Sequence, residues 1–164
     1  MSRAVCPGSF DPVTLGHLDI FARTASLYDS VVIAVGANVS KQGLFGPSER
    51  VAMIEEACVE WPSVHVTLFS GLLVDFCREQ EIDVIVKGLR SGADYDYEVA
   101  MAQMNRKLTG VDTAFLPTAP HLSYVSSSLV REVASLGGDI SPFVTPGVHE
   151  RITARLVERG SKMR

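Results

Sequence analysis

The sequence predicts an α/β fold in which helices cover both faces of a five-stranded parallel sheet. Short apolar runs that favour β-strands alternate along the chain with longer segments whose apolar residues recur at helical spacing. Such alternation is typical of βαβ units, whose strands are parallel and whose helices pack against the sheet. Five strands of this kind favour the Rossmann-like, doubly wound order 3-2-1-4-5. Strands 1 and 4 are then neighbours, and ligands bind beyond their carboxyl ends.

The strands are expected where short apolar segments occur. The first segment, RAVC, is short, whereas VVIAVG is continuously apolar, as expected for a parallel strand that is buried on both faces. The predicted strands are residues 3–6, 31–36, 64–69, 83–87 and 113–117.

Helices are expected between and after these strands. Pro47 suits the first position of the second helix, and Gly137 with Gly138 ends the helix that starts at Ser127. The predicted helices are residues 15–27, 47–58, 72–79, 95–108, 127–136 and 147–159. We expect residues 1–164 to form a single domain with 147–159 as its C-terminal helix.

Composition excludes several classes of protein. The net charge of −4 disfavours broad nucleic-acid binding, which needs a basic surface. No apolar run approaches the roughly 20 residues that span a bilayer. Cys6, Cys58 and Cys77 are far apart and form no zinc-site spacing, so we expect reduced, buried thiols in a cytoplasmic protein.

The motif PGSFDPVTLGH follows the first strand and has the features of an anion site. Thr14 is a suitable N-cap, which places Gly16 and His17 in the first turn of the next helix. Side chains of that turn lean toward the helix N-terminus, where free N–H groups and the helix dipole favour anions. Gly8, Ser9 and Gly16 would let a ligand approach the backbone.

Two further motifs have similar chemistry. In VKGLRSG, after the fourth strand, Lys87 and Arg90 flank Gly88. In LSYVSSSLVRE, three serines occupy the start of a helix, where hydroxyls and N–H groups can surround phosphate oxygens. Lys41 follows the second strand and could reach the same place. The chain has neither GxxxxGK[ST] nor GxGxxG, so a P-loop or dinucleotide site is not supported.

These motifs resemble the paired signatures of the nucleotidyltransferase superfamily. TLGH matches its (H/T)xGH element and VSSSLVR matches its ISSTxxR element, while VKGLRSGADYDYE and MAQMNRKL are similar to the bacterial phosphopantetheine adenylyltransferases. The resemblance covers nearly the whole chain. Ser9 stands where threonine is common and Lys87 where arginine is common, so Lys87 lacks the bidentate fork of an arginine.

The resemblance implies transfer of AMP from ATP to 4'-phosphopantetheine, giving dephospho-coenzyme A and pyrophosphate with Mg²⁺ as cofactor. It also implies a homohexamer under feedback from coenzyme A. Nucleic acid and membranes are not expected as partners. No side chain is assigned as a metal ligand, because the ATP phosphates would hold most of the Mg²⁺ coordination sphere.

The resemblance also assigns site residues. His17 would stabilise the transition state, and the other catalytic candidates are Lys41, Arg90 and Ser128. ATP would contact Ser9, Phe10, His17, Gly88, Leu89, Arg90, Glu98, Leu122, Ser123, Tyr124, Val125, Ser126, Ser127 and Ser128. Phosphopantetheine would contact Ser9, Lys41, Leu73, Lys87 and Asn105.

Two alternatives stay open at this point. The chain could be another small-molecule nucleotidyltransferase, such as a nicotinate-mononucleotide adenylyltransferase. It could also be a nucleotide-sensing module without catalysis, which would bind ATP but release no pyrophosphate when an acceptor is added.

Overall fold

The structure, a computed structural model, describes residues 1–37 and 43–162, with side chains through residue 160. Its sheet has five parallel strands in the order β3-β2-β1-β4-β5. They are β1 (Arg3–Gly8), β2 (Ser30–Gly36), β3 (Val64–Phe69), β4 (Val84–Leu89) and β5 (Asp112–Pro117). The predicted fold class and strand order are therefore confirmed.

Six α-helices are described around this sheet. They are α1 (Leu15–Leu27), α2 (Pro47–Ala57), α3 (Leu73–Glu79), α4 (Gly92–Thr109), α5 (Ser127–Ser135) and α6 (Pro146–Lys162). A short 3₁₀ turn at Pro120–Leu122 was not predicted. None of the described helices is both long and apolar enough to cross a membrane.

The predicted boundaries were wrong by a few residues in three places that matter for the site. β1 continues to Gly8 because Pro7 and Gly8 still pair with β2. β4 continues to Leu89 because its last two residues pair with Leu116 and Pro117 of β5. α4 begins at Gly92 rather than at residue 95, since the Ser91 hydroxyl caps it by accepting from the Asp94 amide at 3.3 Å.

The sheet is covered on both faces because successive strand residues point to opposite sides. Ala4, Cys6 and Ile33 belong to the larger core cluster, whereas Val5 and Val32 belong to the smaller one, against α3. All three cysteines are buried and unpaired. Burial raises the pKa of the Cys6 thiol to about 12 and those of the other two thiols to about 11.

Candidate active site

A cavity of about 360 Å³ lies at the carboxyl ends of β1 and β4, which are neighbours in the sheet. The loops after both strands and the start of α5 form its walls. The strand order thus brings the two glycine-containing motifs together, at the place where doubly wound sheets bind ligands. The predicted site residues that line the cavity are Ser9, Phe10, His17, Lys87, Gly88, Arg90, Glu98, Val125, Ser126, Ser127 and Ser128.

Six of the described residues that were predicted for the site do not line this cavity. Lys41, expected in catalysis and in phosphopantetheine binding, lies outside the described residues. Tyr124 is 61% exposed, with its ring edge-to-face against Phe143. The others are Leu73, Leu89, Asn105, Leu122 and Ser123. Their assignment to ATP or phosphopantetheine stays a prediction.

His17 is fixed by its own helix cap. The Thr14 side chain accepts from the His17 amide at 3.4 Å, and His17 Nδ1 accepts from the Thr14 amide at 3.0 Å. The ring contacts Phe10 edge-to-face and lies nearly parallel to the ring of Phe21. The predicted N-cap is confirmed, and the cap itself orients the imidazole.

Burial and a neighbouring positive charge set the protonation state of His17. Burial, together with the positive charge of Arg90, lowers the pKa of His17 from 6.5 to about 4, so the ring is neutral at pH 7. Because Nδ1 accepts a hydrogen bond from the Thr14 amide, the ring's own proton is on Nε2. His17 therefore offers an uncharged N–H donor to a ligand in the cavity.

The first turn of α1 also leaves one backbone donor unused. The Leu15 amide donates to the Phe143 carbonyl at 2.9 Å, and the His17 amide donates to Thr14. The Gly16 amide has no acceptor among the described residues. A Cβ atom built at Gly16 would lie 3.5 Å from Thr14 Oγ1, an ordinary contact. Packing in the empty cavity therefore does not require glycine here, and a closely approaching ligand would explain it.

Gly8 lines the cavity, but the position of its missing Cβ is filled from within the protein. A Cβ atom at Gly8 would lie 2.7 Å from Cζ of Phe10, whose ring is buried over the strand end. Gly88 is similar, because a Cβ atom there would lie 2.9 Å from Cγ1 of Ile20 in α1. These two glycines allow close packing of side chains.

The basic side chains after β4 are paired with carboxylates of α4. Lys87 Nζ lies 3.5 Å from a Glu98 oxygen, and Arg90 Nε lies 3.4 Å from an Asp94 oxygen. Arg90 also donates to the Val125 carbonyl at 3.3 Å, which links β4 to the loop before α5. Asp94 lines the cavity but was not predicted, because an acidic residue near the start of a helix is explained by stabilisation of the helix N-terminus alone.

The three serines of α5 have different tasks. Ser126 caps the helix by accepting from the Leu129 amide at 3.1 Å. Ser127 donates to the Pro12 carbonyl at 2.8 Å, and Ser128 accepts from Arg131 at 3.4 Å. The amides of Ser127 and Ser128 have no acceptor among the described residues, as is usual for the first turn of a helix. They remain free for anion oxygens.

Two buried charged residues behind the cavity have roles that the sequence analysis did not assign. Asp11 accepts from the Leu44 and Phe45 amides at 2.8 and 2.9 Å, so its carboxylate is used by the fold. Arg50 of α2 is fully buried and donates to the carbonyls of Ser9 and Gly36. Its place among buried Met53 and Ile54, three and four residues later, was the available signal.

Comparison with known proteins places this site in a family. Residues 5–133 match the model of the family described as cytidylyltransferase-like. The chain is 61% identical over 156 residues to a phosphopantetheine adenylyltransferase of Nocardioides sp. strain JS614, covering 95% of this chain and 98% of that protein. It is 57% identical over 159 residues to the phosphopantetheine adenylyltransferase of Streptomyces coelicolor, covering 97% and 100%.

Solved structures with lower sequence identity share the fold. A crystal structure from Vibrio parahaemolyticus, assigned as a nicotinate-nucleotide adenylyltransferase, superposes with a TM-score of 0.72 at 20% identity over 95% of each chain. The lipopolysaccharide core biosynthesis protein of Thermoplasma volcanium has a TM-score of 0.54 at 23% identity, covering 73% of this chain and 97% of that one. At such identities the likeness concerns the fold alone. The family match and the near full-length relatives show that the chain belongs to the cytidylyltransferase-like family and, within it, to the phosphopantetheine adenylyltransferases.

Proposed function

We propose that this protein is a nucleotidyltransferase that moves AMP from ATP to 4'-phosphopantetheine, giving dephospho-coenzyme A and pyrophosphate in coenzyme A biosynthesis. The observation that carries the proposal is the meeting of His17, Lys87, Arg90 and the α5 N-terminus in one cavity. The two phosphopantetheine adenylyltransferases that are 61% and 57% identical over nearly the whole chain support this choice of substrates.

The reaction needs charge stabilisation more than proton transfer. An oxygen of the 4'-phosphate attacks the α-phosphorus of ATP, a new P–O bond forms, and the bond to the bridging α,β-oxygen breaks as pyrophosphate leaves. A phosphate monoester has a second pKa near 6, so it is already largely a dianion at pH 7. The nucleophile therefore loses no proton, and the site's task is to align two polyanions and to stabilise charge on oxygen.

His17 suits the second part of this task. The imidazole is uncharged at pH 7, because its pKa lies far below neutral pH. With its proton on Nε2, it can donate a hydrogen bond to a developing negative charge. The amides of Gly16, Ser127 and Ser128 are additional fixed donors beside it. Such donors, already oriented before the substrate binds, stabilise the oxygens on which charge increases.

We propose Mg²⁺ as the cofactor, held mainly by phosphate oxygens of ATP. Among the described residues no group of three or more His, Cys, Asp or Glu side chains could hold a metal ion. The cavity carboxylates Asp94 and Glu98 are paired with Arg90 and Lys87. This arrangement fits an ion that enters with the nucleotide, since Mg²⁺ keeps several waters and commonly binds substrate phosphates. When bound, it would neutralise charge on the phosphates.

The test is to incubate the protein with ATP, Mg²⁺ and 4'-phosphopantetheine and to detect dephospho-coenzyme A by mass spectrometry. A parallel panel replaces phosphopantetheine by nicotinate mononucleotide and other phosphorylated acceptors. Faster pyrophosphate release with another acceptor would overturn the substrate. ATP binding without release with any acceptor would indicate a sensing module instead.

We also propose a cytoplasmic homohexamer with feedback from coenzyme A, as the resemblance implies. An exposed apolar stripe on α4 supports assembly: Tyr97, Met101, Met104 and Leu108 recur at intervals of four, three and four residues and are 43–69% exposed. Sedimentation should give a mass near six chains, and Met104→Lys should lower it. Coenzyme A added to the assay should reduce the rate.

A further inference from the structure

Arg50 is a buried cation whose position in the fold is unusual. It lies on α2 with its side chain fully buried, and burying a charge costs several kcal/mol unless close partners compensate. Its terminal nitrogens donate to two backbone carbonyls, those of Ser9 and Gly36, the latter at 3.2 Å. Its Nε has no partner among the described residues. A well-packed apolar side chain would often stabilise a core as well or better, so core stability alone does not explain Arg50.

The carbonyl that Arg50 holds belongs to the Ser9–Phe10 peptide. This peptide is trans, since the cis bond described in the structure is Asp11–Pro12. In a trans peptide the carbonyl and the following N–H group point in opposite directions. With the Ser9 carbonyl turned inward to Arg50, the Phe10 N–H group points away from it. Both residues line the cavity, and this N–H has no acceptor among the described residues.

The backbone at this point also needs support. Phe10 has a φ of +50°, in the left-handed region that bulky residues rarely occupy. Such a conformation persists where surrounding contacts fix it. The Phe10 ring is held by packing on Gly8 and by edge-to-face contacts with His17 and Phe21. The hydrogen bond from Arg50 holds the preceding carbonyl.

We propose that Arg50 is a positioning residue that orients the Ser9–Phe10 peptide so that the Phe10 N–H donates to a phosphate oxygen of bound ATP. The inference rests on the proposed function, which supplies ATP as the ligand. It assigns Arg50 an effect on nucleotide affinity through the backbone, without contact between Arg50 and the substrate.

The test uses Arg50→Lys, which keeps the charge but cannot span two carbonyls, and Arg50→Gln. Arg78→Lys is the matched control, because Arg78 also donates to a backbone carbonyl, that of Leu108 at 2.7 Å, outside the cavity. Calorimetry should show about a tenfold weaker Kd for ATP in both Arg50 variants, as expected when one hydrogen bond to a charged group is lost. Arg78→Lys should bind ATP like the wild type.

Labelling with ¹⁵N-phenylalanine gives a direct readout. The chain has seven phenylalanines, and the Phe10 resonance is assigned by its loss in Phe10→Leu. ATP should shift this resonance in the wild type and much less in Arg50→Lys. ATP affinity within twofold of wild type, or an unchanged shift, would overturn the proposal. So would failure of both Arg50 variants to fold, because Arg50 would then serve folding. If the wild type forms no dephospho-coenzyme A yet ATP shifts Phe10 as described, the reaction is wrong and the role of Arg50 stands.

Discussion

The two strand ends that form the cavity are built differently. After β1, polar side chains form hydrogen bonds with the backbone of the protein. His17 accepts from the Thr14 amide, Asp11 accepts from the amides of residues 44 and 45, and Arg50 donates to the Ser9 carbonyl. After β4, the charged groups form ion pairs with carboxylates of the adjacent helix and are partly exposed to solvent.

The donors after β1 are therefore fixed in place, whereas the cations after β4 can exchange their carboxylate partners for a phosphate. The hydrogen bonds after β1 hold His17 and the Phe10 and Gly16 amides in place before any substrate arrives. Partly exposed ion pairs such as Lys87–Glu98 contribute at most about 1 kcal/mol, so a doubly charged phosphate can replace the carboxylate. We therefore expect changes after β1 to alter the rate or nucleotide binding, and loss of the Lys87 cation after β4 to alter acceptor affinity.

The largest effect is expected for His17→Ala. Loss of one preoriented donor to the transition state should lower kcat by at least about 10²-fold, with a smaller change in KM. A continuous pyrophosphate-release assay measures both. His65→Ala is the control, because His65 is an exposed residue on β3, away from the cavity. Turnover of His17→Ala within a few-fold of wild type would remove the imidazole from the mechanism.

Gly16→Ala should weaken ATP binding about tenfold while the protein stays as stable as wild type or becomes slightly more stable. The new methyl group fits the empty structure, and alanine favours helices over glycine by up to about 1 kcal/mol. In the complex, the methyl group would occupy the space over the free amide. Calorimetry and thermal unfolding give the two quantities. The contrasting variant is Gly88→Ala, whose methyl group would clash with Ile20 and so reduce stability. Unchanged ATP affinity in Gly16→Ala would show that no ligand comes close to this backbone.

Lys87→Ala should weaken phosphopantetheine affinity several-fold, with little change for ATP. The variant loses a cation and leaves the Glu98 carboxylate unpaired in the cavity, where it repels a phosphate. Lys87→Arg should keep most of the affinity because the charge remains. Lys41→Ala is expected to act in the same direction. Calorimetry at two salt concentrations checks the assignment, and equal phosphopantetheine affinity in Lys87→Ala and wild type would contradict it.

The sequence predicted the fold because its local signals agree with one another. The alternation of strands and helices, Thr14 as a cap and Gly137 as a stop all favour the observed elements. The predicted and observed strand boundaries differ where pairing with the neighbouring strand, and not local sequence preference, determines where a strand ends. Gly88 and Leu89 lack strong strand preference but are held by hydrogen bonds to β5.

The site was predictable in its location and less so in its contacts. Strand order alone puts His17, Arg90 and Ser127 in one cavity. The Phe10 ring packs on Gly8, and the Ser127 hydroxyl donates to the Pro12 carbonyl. Both contacts depend on tertiary packing, for which the sequence around each residue gives no signal. Arg50 was not predicted as a buried residue, because charged side chains are rarely buried.

The smallest effect concerns stability and pH, and it tests whether His17 is held neutral. The pKa of His17 falls from 6.5 to about 4 on folding, so between these values the unfolded chain binds more protons at this residue than the folded chain does. The free energy of unfolding therefore rises with pH in this window and falls on acidification from about pH 6.5 toward 4. His17→Gln lacks this contribution. Urea unfolding at pH 7 and pH 5 should show that the wild type loses more stability than His17→Gln over this interval. An equal loss in both proteins would mean that the imidazole titrates normally in the fold, and that burial beside Arg90 does not keep it an uncharged donor.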